Sequence, residues 1–307
     1  MLQHPLDHPR YRHLVFEGIA APGPSAQFTA RKRGNPLPVR GTAARAVPAH
    51  NEHVGEAEAA FLRSVFALAG LDIRRYRLGP LCRRLPACVR ALRCASLEQA
   101  TARLLEDPEK LVVVLNTLMI GVSSFFRDQV VFEHLGQQLL PRLLQESRPL
   151  RVWSVACSHG AELYSVAMQL AEQHALEHAQ LYGTDCRAAA IASATLGEYQ
   201  HDAIDGLPVE ARNRFFIRRG RHHILSPLLR NAVRWEVRDV FSDGQWGTWD
   251  LILCRNLAIY LEESATNLLW QRVAEALRPG GILVAGKAEK PTVDSLTRVG
   301  LCIFQKT

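Results

Sequence analysis

At 307 residues with a net charge of +7, the chain is long enough for one large or two ordinary domains and leans toward an anionic partner. Its seven cysteines form no C-x-x-C pair, which argues against a zinc site or a disulfide framework, and no metal is expected. The longest apolar run, Leu111 to Val122, is too short to span a bilayer and is interrupted by Asn116, and a start carrying His4, Pro5, Asp7 and His8 is no signal peptide, so a cytoplasmic protein without membrane insertion is expected.

Residues 1 to 55 hold seven of the sixteen prolines and the basic cluster Arg31 to Arg33, with little apolar periodicity, and read as a disordered arm. From 56 to 144 the spacing is helical. Phe61, Val65, Phe66 and Leu68 begin one amphipathic helix, Leu97 to Leu105 a second and Leu111 to Leu118 a largely buried third. Between Asp72 and Glu98 stand seven arginines and no acid, and helical spacing puts Arg83 and Arg90 two turns apart on one face. That face suits an acidic partner as well as it suits plain solvation. Nucleic acid is the weaker candidate, because no recognisable nucleic-acid motif accompanies the basic residues.

From 145 to 307 strands and helices alternate, as in a doubly wound sheet. Strands are predicted at 150–157, 180–185, 233–238, 250–255, 282–286 and 299–305, with helices at 161–174, 187–196 and 264–277. Pro279-Gly280-Gly281 is expected to end the last helix in a tight turn. The stretch 200–232 carries Arg212, Arg214, Arg218, Arg219 and Arg221 around Phe215 and Phe216 and reads as an inserted recognition element. The run LRVWSVACSHGAELYS, 150–165, is a buried strand that stops at small residues and restarts as a helix, leaving bare backbone at Ser158 to Gly160. About twenty residues on, LYGTD delivers Asp185 to a strand tip, where a carboxylate can accept both hydroxyls of a ribose. Without a G-x-G-x-x-G turn a pyrophosphate finds little cradle. A ribose-bearing ligand lacking one, such as S-adenosylmethionine, is therefore favoured over NAD.

Four segments in order, SSFFRD (123–128), WSVACSHGAELYS (153–165), YGTD (182–185) and CRNLAIYL (254–261), followed by RPGGILVAGKAE (278–289), resemble the CheR-type chemotaxis receptor protein-glutamate O-methyltransferases over residues 57–307. The resemblance implies an α/β protein: a small all-helical amino-terminal domain, then a Rossmann-like S-adenosylmethionine-dependent methyltransferase domain with a small inserted subdomain. It implies methyl transfer to glutamates of a chemoreceptor or related signalling protein; the partner surface expected there is an acidic helical region, and the protein itself is expected to be a monomer. Carried over by motif, the cofactor-binding residues are Gly121, Ser123, Arg127, Glu162, Asp185, Asp239, Val240, Arg255 and Asn256, and Arg127 and Tyr260 hold the acceptor. The chain departs from the family pattern at Gly121, where asparagine is usual, at Ala161 for glutamate, at Asp239-Val240 for asparagine-leucine, and at Cys186-Arg187 for Ile-Asp after the ribose acid. Phe125, Phe126, Cys157 and Cys254 also suit plain core positions, and Asn256 suits the capping of backbone donors after its strand.

A glutamate with a pKa near about 4.3 is already ionised at neutral pH, so attack on a sulfonium methyl needs no general base. Holding oxygen, carbon and sulfur in line supplies on the order of 7–11 kcal/mol. Two other functions stay open: a catalytically weak or inactive module that binds S-adenosyl compounds and regulates a signalling pathway, and a methyltransferase acting on RNA or a small molecule.

Overall fold

The computed structural model describes residues 54–307 except 120, 122 and 147, so the arm expected over 1–55 lies outside the described residues but for its last two. Among the described residues ten strands follow one another: β1 (Leu150–Val155), β2 (Ala179–Asp185), β3 (Glu198–Gln200), β4 (Phe216–Arg219), β5 (His222–Leu225), β6 (Val233–Val237), β7 (Trp249–Cys254), β8 (Leu277–Ala285), β9 (Leu296–Gly300) and β10 (Ile303–Lys306). Seven build one sheet in the order β6-β2-β1-β7-β8-β10-β9. The first five run parallel, and β10 pairs antiparallel with both β8 and β9. The strand order reverses between β1 and β7, where an open α/β sheet leaves a crevice beyond the carboxyl tips.

Both faces of the sheet are covered, which is why its central strands read as unbroken apolar runs rather than alternating ones. Val152, Leu251, Leu253, Ile282 and Val284 share a core with the helical segments Gln129–His134 and Ala161–Glu172. Trp153, Val155, Ile252, Cys254 and Leu283 point the other way, into a core shared with the helices Glu56–Leu68, Leu97–Glu106, Leu111–Leu118 and Glu263–Ala276. The helical segment is also tied to the loop after β7 through its backbone. Arg77 N–H donates to Tyr260 O and Glu262 N–H to Arg75 O, both at 2.9 Å. Gly183 lets β2 pass beside Trp235 of β6, since a Cβ there would overlap the indole.

Three local expectations are corrected. The stretch 299–305 is two strands, because Cys302 adopts φ +61° in a turn between β9 and β10. The helix before β8 ends at Ala276, and Pro279-Gly280-Gly281 lies inside β8 as an irregularity that shifts its register with β7. Arg83 and Arg90 do not share one helix: Leu78–Cys82 and Leu85–Ala91 are separate, with Pro80 and Pro86 in their first turns. Of that arginine run, Arg75 is drawn inward, over the Phe241 ring at 4.7 Å, while Arg74 pairs with Asp72 at 2.9 Å.

The stretch 200–232 holds three short helices and, with β3, a three-stranded antiparallel sheet in the order β3-β5-β4. Phe125 packs edge-on against Tyr199 and Phe216 of this subdomain, with centroids 4.8 and 5.5 Å away. At the opposite end of the main sheet, Asp250 is 2 % exposed and accepts from Arg148, Arg278 and the Arg151 N–H. Burial pushes its carboxyl up, but Arg148, the Arg151 N–H and Arg278 together hold it below the usual carboxylate range. Its contribution is therefore complete above the unfolded value of about 3.9 and lost as pH falls through the lower folded one. Asp250→Ala should cost about 2 kcal/mol at pH 7, since both arginines can turn to solvent, and the deficit in urea midpoint should shrink toward pH 3. An equal deficit at both pH values would remove the carboxylate from this account.

Candidate active site

Beyond the tips of β1, β2 and β7 lies a cavity of about 290 Å3, bounded on the other side by Tyr76, Leu81, Leu118 and Met119 of the helical segment. Its floor is backbone in unusual conformations: φ is positive at Ala156, Ser158 and Gly160 after β1 and at Asn256 after β7. Such conformations cost on the order of 1–3 kcal/mol each for non-glycine residues and gather where a site needs them. Gly160 then opens the helix Ala161–Glu172 and sets Glu162 in its first turn, at the positive end of the helix dipole.

Every residue carried over from the sequence motifs lines this one cavity. Gly121, Ser123 and Arg127 come from the segment before Gln129, Glu162 from the helix, Asp185 from the tip of β2, Asp239 and Val240 from beyond β6, and Arg255, Asn256 and Tyr260 from beyond β7. Phe125 and Phe126 do not line it; they belong to the apolar core. Phe126 N–H donates to Ser165 Oγ at 2.9 Å, which fixes the turn that presents Arg127.

Both key acids meet arginines of the chain. The Arg255 side chain, 1 % exposed, donates to Glu162 at 2.7 Å and also to Asp128, whose other oxygen sits 2.6 Å from Lys287 Nζ. Burial pushes the Glu162 carboxyl up, and Arg255 and then Arg127 draw it part of the way back. Asp185 accepts from Ser158 N–H and Arg187 N–H, each at 2.9 Å, and from the Arg187 guanidinium at 3.1 and 3.3 Å. Asp239 takes the Phe241 N–H at 3.0 Å, and burial raises its carboxyl despite that bond.

Two features escaped motif reading. Glu289 is 6 % exposed and accepts from the N–H groups of Gly286, Asn256 and Ala258 at 2.7, 2.8 and 2.7 Å. The capping expected of Asn256 is thus done by Glu289, which leaves Asn256 Oδ1 buried and unpartnered. Only the RPGGILVAGKAE segment hinted at it, and no spacing rule links residue 289 to residue 256. Arg187, noted in the sequence only as a departure, reaches across the cavity floor to Met119 O at 2.7 Å and Ser158 Oγ at 3.3 Å.

The donor set fits a nucleoside bearing a positive charge. An orphaned amide oxygen at Asn256 can take an amine donor, Asp185 at a strand tip and Glu162 in a helix's first turn offer carboxylates, and Leu257 and Ile259 supply apolar wall. Among the described residues no group of three metal-ligating side chains converges, and no helix is long and apolar enough to cross a membrane.

A family model described as CheR methyltransferase, SAM binding domain, matches residues 121–299. Proteins named chemotaxis protein methyltransferase are similar in Listeria monocytogenes, 34 % identical over 75 % of this chain and 88 % of that protein, and in Listeria innocua, 33 % over the same shares. Chemotaxis protein methyltransferase 2 of Pseudomonas aeruginosa is 28 % identical over 73 % of this chain and 83 % of its own.

Proposed function

The chain belongs to the CheR methyltransferase family, is a methyltransferase and uses S-adenosylmethionine, and from that premise we propose that it methylates glutamate carboxylates of chemoreceptor-type signalling proteins. The observation that carries this is the convergence of Arg127, Glu162, Asp185, Asn256 and Tyr260 on one cavity at the sheet's reversal point. The cofactor supplies an electrophilic methyl carbon on a positively charged sulfur. Asp185 accepts from the ribose hydroxyls, Glu162 faces the cationic end, and Asn256 Oδ1 and Asp239 accept amine hydrogens. Arg255 acts as a positioning residue that holds Glu162 and Asp128 in place.

Arg127 and Tyr260 orient the acceptor carboxylate. A guanidinium fork fixes the plane of a carboxylate, and a phenol donates one further bond, while neither removes a proton. None has to be removed, because the acceptor is ionised before it arrives. The helical part, residues 56–144, and the insert, 200–232, are arginine-rich, which suits an acidic helical substrate.

One observation favours the regulatory alternative: both acids are already paired with arginines, which lowers the expected cofactor affinity. Incubation with methyl-labelled cofactor and chemoreceptor cytoplasmic fragments separates the cases. Glutamate methylation yields label released as methanol by mild alkali. Binding of S-adenosylhomocysteine in calorimetry with no transferred label supports a binding module, and alkali-stable label indicates another acceptor.

A further inference from the structure

Asp185 has no acceptor position to spare. An ionised carboxylate offers about four lone-pair sites, and here Ser158 N–H, Arg187 N–H, Arg187 Nε and Arg187 Nη2 take four contacts between 2.9 and 3.3 Å. Two of the four, one on each oxygen, come from the guanidinium, and a diol that donates to both oxygens needs one position on each. Gly121 packs against the same guanidinium and against Ser158. A Cβ at that position would lie 2.6 Å from Arg187 Nη2 and closer still to Ser158 Oγ. Gly121 and Arg187, separate departures in the sequence, meet in space: a Cβ at 121 would crowd Ser158, which lies nearest, and the arginine that closes over Asp185.

We propose that Arg187 competes with the cofactor's ribose for Asp185 and so sets the affinity of the site. This rests on the cofactor assignment above and extends it. The Arg187 side chain is 7 % exposed and is held from the far side by Met119 O, so the closed arrangement is anchored at three points. Binding selects the fraction of molecules in which the guanidinium has left the carboxylate, and the apparent dissociation constant rises as the inverse of that fraction. The two backbone donors, Ser158 N–H and Arg187 N–H, keep Asp185 in place when the guanidinium leaves.

The test is calorimetry with S-adenosylhomocysteine and its 2′,3′-dideoxy form on the full chain, with thermal melting to confirm folding. An open fraction near one in ten predicts that Arg187→Ala binds S-adenosylhomocysteine about tenfold more tightly than wild type. Arg187→Gln keeps one neutral donor for Asp185, preserves folding if the alanine variant does not, and should gain about threefold, an open fraction near one in three. Neither variant should gain affinity for the dideoxy form, which has no hydroxyls to offer. Unchanged or weaker binding by the folded variants, or an equal gain for the dideoxy compound, overturns the proposal. Absence of any binding to the wild-type protein instead removes the cofactor assignment beneath it.

Discussion

Glu289→Ala is expected to lower the unfolding free energy by about 4 kcal/mol, because it orphans three buried N–H groups at on the order of 1–3 kcal/mol each, less whatever an entering water recovers. Those donors belong to Gly286, Asn256 and Ala258, so one carboxylate joins the turn after β8 to the tip of β7. The approach is close: a Cβ on Gly286 would lie 2.9 Å from Asn256 N. With the clamp gone, Asn256 loses the bond that holds it at φ +58°, and the short turn Ala258–Tyr260 loses its cap. Affinity for S-adenosylhomocysteine should fall at least about tenfold even where the variant stays folded, equivalent to 1.4 kcal/mol. Glu289→Gln is the sharper probe. Whichever oxygen becomes the amide nitrogen, at least one N–H then faces another donor, at a cost of about 2 kcal/mol. Urea unfolding and calorimetry on both variants decide it; midpoints equal to wild type would deny Glu289 this role.

The parallel strands and the cavity acids were legible because their signals are local. Val152 on one face and Trp153 and Val155 on the other are apolar only where both faces are covered, and Asp185 or Glu162 sits at a fixed distance from the strand that delivers it. Misreadings came where one residue type hid a conformation. Cys302 turns the chain with a left-handed backbone that glycine or asparagine usually announces, and Pro279-Gly280-Gly281, turn residues by composition, sit inside a strand. Pro80 and Pro86 each fit a helix start, so the arginine run breaks into two helices and the shared face of Arg83 and Arg90 disappears.

The rest of the site was hidden because its bonds span long separations and use backbone groups, which carry no sequence identity. Glu289 meets Asn256 across 33 residues and Arg187 meets Met119 across 68. In sequence Gly121 is only a departure; in space a Cβ there would crowd both Ser158 and Arg187. Departures from a family pattern become interpretable in pairs, once the fold says which positions touch.

Arg255→Met should be the other severe substitution, costing about 3–5 kcal/mol at pH 7, the range for removing one partner from a buried ion pair. Methionine replaces the apolar stem but not the charge, and the two acids fare differently. Asp128 keeps Lys287 at 2.6 Å, whereas Glu162 keeps only the more distant influence of Arg127. Burial already pushes Glu162 above the ordinary carboxylate value with Arg255 in place, and without it the carboxyl rises further. A folded value above the unfolded one means that the native state binds the extra proton, so stability falls as pH rises through the folded value and returns as pH drops toward the unfolded value of about 4.3. The Met variant should therefore recover part of its deficit as pH is lowered from neutral toward about 4.3, with a steeper slope than wild type. Adding Glu162→Gln to it should flatten that slope and restore about 2 kcal/mol, because an uncharged amide is far cheaper to bury alone. Urea midpoints at three pH values for the single and double variants test the chain of reasoning, and a deficit that stays constant with pH would show that Glu162 is not the group left unpaired.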